Sequence, residues 1–381
     1  MKFLPIAVIL LLITGCKENT KNTVETADPQ TKNKEMEPSK KASTFYVGTY
    51  TRENGEGIYT YELTENGNLK NGKLVAKTEN PSFLAFSADK NYLLAVDESK
   101  DGAVVSFKRE QDTLTFISKS PSGGAHPCYI VSNKEGFVLN ANYSSGTVGL
   151  HKLNDNGKLS SLLDVQKHTG KGTTDRQEGP HAHSVWLEPT QNEVIAVDLG
   201  TNELWFSKIN ASGNKLEPKE PQKLAMADGA GPRHMDFHPT LDMAYVFNEL
   251  NNTITVLNYN DKGTYEVKNS ISTLPEDFTD KSKGADIHIS SDGKFLYASN
   301  RGHNSIAIFK VLDDGGLENI GYESVRGDGP RNFSFSPDEN FLLVANQFTN
   351  NIVSYKRDRD SGLLTFVDEI EAPSPVCILF Q

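Results

Sequence analysis

Six side chains in this sequence, far apart along the chain, are of types that bind anions and move protons: His183, Arg233, Glu249, Arg301, Arg331 and Gln347. Arg233 and Arg331 each follow Gly-Pro, and His183 stands in Gly-Pro-His-Ala-His, two residues after His181. An imidazole with an ordinary pKa of about 6.5 takes up and returns protons near neutrality. Guanidinium groups hold an anionic group or stabilise the oxyanion that forms when water attacks a carbonyl. A carboxylate among them, Glu249, orients a guanidinium or the water, or acts as the base itself. Arg331 and Gln347 would complete the binding of a substrate, with His181 as a further contact or as the imidazole in place of His183. No Gly-x-Ser-x-Gly elbow precedes a helix, so an acyl-enzyme route has no support.

Metal chemistry is not expected. The His181/His183 pair has ligand spacing but no third ligand within sequence reach, which argues against zinc. Asp97, Asn142, Asp198, Asn248, Asn300 and Asn346 recur at one position of a repeat. A feature common to every unit fits an Asx cap on a turn better than a calcium site. His234, His238, His288 and His303 read as structural or surface residues. The three cysteines, Cys16, Cys128 and Cys377, form no disulfide framework.

The repeat is what would bring the reactive types together. Six segments open at Pro81, Pro127, Ala182, Pro232, Gly284 and Pro330. Each has an alternating apolar stretch, a polar turn such as Ser-Ala-Asp-Lys, and a second apolar stretch. A third stretch follows (GAVVSFKR, NTITVLNY, NNIVSYKR), then a less regular fourth. Short alternating runs punctuated by Gly, Asp and Asn are β-strands. Four strands repeating every ~40–50 residues describe propeller blades. SPVCILF at 374–380 reads as the opening strand of a truncated unit, and FYVGTYT at 45–51 with GIYTYEL at 57–63 as its missing middle. Pairing the two ends closes a ring and hides both sheet edges, so the expected fold is an all-β, seven-bladed propeller. The second residue of each unit is Ser82, Cys128, His183, Arg233, Ala285 or Arg331. The residue ending the second strand is Glu98, Leu199, Glu249, Arg301 or Gln347 in five of them. Equivalent positions form rings around the axis, so these residues are expected at one channel mouth.

The chain carries 39 Lys and Arg against 50 Asp and Glu, a formal charge of −11. That balance excludes a general nucleic-acid binder, which needs a basic footprint, and makes a cluster of arginines costly without an anion to bind. At the N-terminus, residues 1–16 read MKFLPIAVILLLITGC. The apolar run is too short to span a bilayer but suits a signal peptide. Ile-Thr-Gly-Cys resembles a bacterial lipobox, with Cys16 as the lipidated residue. Residues 17–43 are polar, with six Lys against five acidic residues, and read as a disordered tether. The body, 44–381, is then expected to be extracytoplasmic and held to a membrane through Cys16.

Over residues 44–381 the sequence resembles the seven-bladed lactonase family, which includes bacterial propeller-type 6-phosphogluconolactonase and the fungal carboxymuconate-lactonising enzyme. The resemblance is carried by GPRHMDFHPTLDMAYVFNELNNTITV at 231–256, YVGTYT near the start, SNRGHNSIAIF at 299–309 and GPRNFSFSPDENFLLVANQ. It implies metal-independent, cofactor-free opening of an anionic lactone to its hydroxy acid, with the family's His, Arg, Glu and Arg falling on His183, Arg233, Glu249 and Arg301. The namesake reaction is cytosolic, whereas the leader points outward. A membrane-anchored propeller that binds an envelope or carbohydrate partner without catalysis is the alternative, and a calcium-dependent lactonase or quinoprotein-like propeller the third reading.

Overall fold

The computed structural model describes residues 42–381, except 112 and 190–192. The expected signal peptide, Cys16 and nearly all of the expected tether lie outside the described residues. Twenty-eight strands, with no helix among the described residues, form seven four-stranded antiparallel sheets. Blade 1 joins the chain ends in the order Pro375–Phe380, Ser43–Thr49, Gly57–Leu63, Leu69–Lys77. Blades 2 to 7 follow in sequence, over 84–121, 127–167, 182–225, 232–272, 283–324 and 330–371. The expected seven blades and the expected closure are both present. Closure is an antiparallel ladder, with Phe45 opposite Phe380, Val47 opposite Ile378 and Gly48 opposite Cys377, and a register shift after Gly48. Gly48 is required there because a β-carbon would lie 2.1 Å from the Pro81 carbonyl oxygen.

Blade stacking explains the composition of the strands. A second strand lies between neighbouring blades and has both faces covered, so Phe137–Asn142, Met243–Asn248 and Phe341–Asn346 are buried throughout and read as nearly unbroken apolar runs. Fourth strands form the rim, and Tyr265–Ser272 is exposed at most positions. The core is accordingly a series of clusters between adjacent blades. Phe45, Val47 and Ile378 of blade 1 meet Leu343, Ala345 and Ile352 of blade 7, so the closing blade is packed like the rest.

The recurrent Asx residues are structural, and their bonding goes beyond the turn caps expected. Asp198 does cap its turn, accepting from the Thr201 amide at 2.8 Å. Asn142, Asn300 and Asn346 instead donate to the carbonyls of Ser122, Thr273 and Val325 at 2.7–3.0 Å. These bonds tie a second strand to the chain at or just beyond a fourth strand.

Candidate active site

Three of the expected residues, and Cys128 with them, are displayed by the same backbone device. In blades 3, 4, 5 and 7 the pairing of first and second strands shifts register across residues 127/129, 182/184, 232/234 and 330/332. The skipped residues are Cys128, His183, Arg233 and Arg331. A bulge of this kind leaves one residue unpaired and re-aims its side chain. Here the four bulges turn them toward the axis, next to the residues that end the second strands.

The result is a cavity of about 240 Å³ lined by Tyr50, Arg52, Glu98, Cys128, Tyr143, Arg176, His183, Glu249, Lys283, Arg301 and Arg331. Every blade supplies at least one of these. Its volume is below the ~300–1,000 Å³ of drug-sized pockets, so it suits a compact ligand. Five cations face two carboxylates on a protein of net charge −11. A second cavity of about 190 Å³, around Thr44, Thr60 and Gln381, holds no imidazole or guanidinium.

Glu249 is the hub. Its Oε2 lies 3.0 Å from Arg301 Nη2, 3.2 Å from Arg233 Nε and 4.0 Å from His183 Nε2, and its Oε1 lies 3.6 Å from Arg176 Nη2. Burial alone would raise the Glu249 carboxyl, but Arg301, Arg233, Arg176 and Arg331 hold its pKa at about 2. Arg301 also donates to the Gly284 carbonyl at 2.6 Å. Arg233, 2% exposed, lies beneath the cavity in a small void that also touches Cys128, His234 and Arg331. Burial, then Arg301 and Arg331, lower its pKa to about 9. The buried Nε atoms of Arg233 and Arg301 complete no hydrogen bond. So much unneutralised charge underground is costly unless an anion enters.

His183 is buried, and its pKa is not the ordinary value expected for a base at neutral pH. Burial first, then Arg233, His234, Arg331 and Arg301, push it well below 6.5. The imidazole is therefore neutral and able to accept a proton, but weakly basic until bound negative charge offsets the arginines. Cys128 approaches its Nδ1 at 3.8 Å and donates to its carbonyl oxygen at 3.2 Å. Burial, then Glu98, push this thiol up, which removes it as a nucleophile. Arg331 lies over the Tyr50 ring at 5.3 Å, and Tyr50 donates to Glu98 at 2.9 Å.

Two of the expected residues are not among those lining the cavity. His181 precedes the first strand of blade 4 and stacks on Tyr143 with centroids 4.6 Å apart. Its Nδ1 lies 3.1 Å from the Tyr143 carbonyl, so the ring stands behind the cavity wall. Gln347 has the ring position in blade 7 but turns to Glu53, donating at 3.0 Å. Sequence reasoning missed Tyr50 and Tyr143, which end the second strands of blades 1 and 3 just as Glu98 and Glu249 do in theirs. Extending the ring to those blades finds both. Arg176 lies in a connection, 168–181, with no counterpart in the repeat, and nothing in the pattern marked it.

Behind Arg233 runs a buried chain of polar groups. Arg233 Nη1 meets His234 Nε2 at 3.2 Å, which makes that nitrogen the acceptor, and His234 Nδ1 donates to Asp286 at 2.7 Å. The other Asp286 oxygen takes His288 Nε2 at 3.2 Å and the Asn332 amide at 2.5 Å. Burial would lower His288, but Asp286 and Asp236 raise its pKa to about 9. A group raised in the folded state stabilises fully below its unfolded pKa of about 6.5, and that contribution is lost as pH rises through about 9. His288 is 32% exposed, so screening limits the loss to about 1 kcal/mol. Urea unfolding should show stability falling by that amount between pH 7 and 9, and Asp286→Asn should flatten the slope. A flat wild-type profile would contradict the charged pair.

Comparison with known proteins gives the family. The family model described as "Lactonase, 7-bladed beta-propeller" matches residues 44–380. A Bacillus subtilis 6-phosphogluconolactonase is 39% identical over 343 residues, which are 88% of this chain and 97% of that protein. The crystal structure of a Pseudomonas aeruginosa periplasmic gluconolactonase superposes with a TM-score of 0.86 at 30% identity, covering 89% of this chain and 99% of that one. A Lactobacillus plantarum protein gives 0.85 at 34%, covering 90% and 100%.

Proposed function

The chain belongs to the seven-bladed β-propeller lactonase family, and from that premise we propose that it hydrolyses an acidic or phosphorylated sugar lactone to the hydroxy acid without a metal. The observation that carries this reading is the convergence of His183, Arg233 and Arg301 on Glu249 in an arginine-rich cavity. The lactone carbonyl lies toward Arg301 and Arg233, whose positive charge stabilises the oxyanion. His183 removes a proton from water as its oxygen bonds to the carbonyl carbon. Negative charge on the substrate offsets the arginines and restores the basicity that they and burial suppress. Collapse of the tetrahedral intermediate breaks the ring C–O bond, and the imidazolium returns its proton to the leaving alkoxide. The new carboxylic acid releases its proton to solvent.

Glu249, with so low a pKa, is a poor base. It holds both arginines in place and stabilises the imidazolium. Arg331, kept protonated by Tyr50 and Glu98 against the effect of burial, contacts the substrate from the opposite side. Five cations repel a divalent ion, and Glu249 is already committed to guanidinium groups. Purified protein should therefore release acid from 6-phosphogluconolactone or a related lactone faster than the spontaneous reaction, and at the same rate in excess chelator. A rate equal to the spontaneous one for every sugar lactone would remove the reading.

Lipid attachment at Cys16 is part of the proposal, supported by the Ile-Thr-Gly-Cys pattern and by the periplasmic description of the Pseudomonas relative. Cys16→Ser should move the protein from the membrane to the soluble fraction, and membrane retention of the variant would contradict the anchor.

A further inference from the structure

The cationic side chains of the cavity fall into two groups that differ in what already satisfies them. Arg233 and Arg301 lie at the buried end, share Glu249 Oε2 and donate to the carbonyls of Ala285 and Gly284. Arg176 and Lys283 lie at the rim. The Arg176 side chain is 44% exposed, donates to the Tyr143 hydroxyl at 2.8 Å, and reaches only the far oxygen of Glu249, at 3.6 Å. Lys283 is exposed, pairs across the strands with Arg301, and makes no ion pair among the described residues. Burial of its ammonium, then the charge of Arg176, press its pKa down. Both cations line the same cavity; Glu249 and Glu178 act on Arg176, whereas Lys283 has no ion pair among the described residues.

Arg176 is nevertheless held in place. Its neighbour Gln177 is fully buried. Gln177 Nε2 donates to the Leu199 carbonyl at 2.8 Å and to Asn202 at 3.1 Å, and Oε1 accepts from the Thr173 and Thr174 amides at 3.3 Å and the Thr174 hydroxyl at 3.2 Å. One side chain therefore pins the connection 168–181 to blade 4 and presents the next guanidinium over the cavity. Fixing two like charges on one cavity wall is unfavourable unless a ligand repays it.

We propose that Arg176 and Lys283 form a second anion subsite at the rim, which holds an anionic group carried by the lactone away from its ring carbonyl. The pair then discriminates charged lactones from neutral ones. Phosphate ester and carboxylate present the same chemistry to these side chains, and the inference rests on the lactone-opening reading above.

The test measures kcat/KM of the full-length protein for glucono-δ-lactone, its 6-phosphate and a carboxylated sugar lactone. In Arg176→Gln/Lys283→Gln the charged-to-neutral ratio should fall by about 10–100-fold, mainly through KM, as expected for losing charge-assisted contacts to one substrate group. The arm that loses more identifies the anion. An unchanged ratio would overturn the subsite, whether both activities persist or both fall by the same factor. Should wild type open none of the lactones, the functional reading fails separately, and calorimetric titration with 6-phosphogluconate and glucarate decides the subsite. Binding weakened at least tenfold in the double variant sustains it, and equal or undetectable binding in both proteins removes it.

Discussion

Glu249→Gln should lower kcat/KM for lactone opening by about 10³-fold and the stability of the protein by about 3 kcal/mol. Both effects follow from one change. The amide has almost the same shape but no charge, so Arg233, Arg301 and Arg176 lose the carboxylate they share. Removing one partner of a buried ion pair leaves the other desolvated and uncompensated, which costs more than the pair itself was worth. Catalysis suffers because the guanidinium groups separate and the imidazolium at His183 loses its counter-charge 4.0 Å away. Steady-state kinetics and urea unfolding on the same preparation check both. Activity within tenfold of wild type would contradict the central role of Glu249.

The second large effect is Arg233→Met, expected to reduce kcat/KM by about 10²–10³-fold, with the loss in kcat rather than KM. Arg233 is fully buried, and its Nε lies 3.2 Å from Glu249 Oε2 beneath the cavity. The stability cost of Arg233→Met should be smaller than that of Glu249→Gln, because Glu249 keeps Arg301 and Arg176 as partners. Burial and the neighbouring arginines already depress its pKa to about 9, so replacing it with an apolar side chain of similar length relieves repulsion with Arg301 and Arg331. The variant should melt above Glu249→Gln although both are nearly inactive. Equal destabilisation in the two would mean that Arg233 is held for packing rather than for an anion.

The fold was legible because a propeller repeats. Six similar units, with the complementary pieces FYVGTYT and SPVCILF at the ends, give seven blades and the closing pair without further information. Superposing the units also grouped His183, Arg233, Glu249, Arg301 and Arg331, which do meet in the structure, since equivalent positions share a distance from the axis. The method failed where the backbone leaves the repeat or where a side chain has a choice of partner. Arg176 stands in an unrepeated connection. Gln347 occupies the right position but is captured by Glu53, and His181 is turned onto Tyr143 by the strand start. The depressed basicity of His183 was invisible for another reason: it comes from burial and from four charged or titratable neighbours that meet only in three dimensions. The same limit hid the chain from Arg233 through His234 to Asp286 and His288, residues that read singly as structural.

The most direct test is a crystal structure of the protein with the hydroxy-acid product of the lactone that it opens fastest. The account predicts the product carboxylate between Arg233 and Arg301, within hydrogen-bond reach of both, with one oxygen beside the His183 imidazole. Product seated on another surface, or in the cavity with its carboxylate turned away from those three side chains, would contradict it.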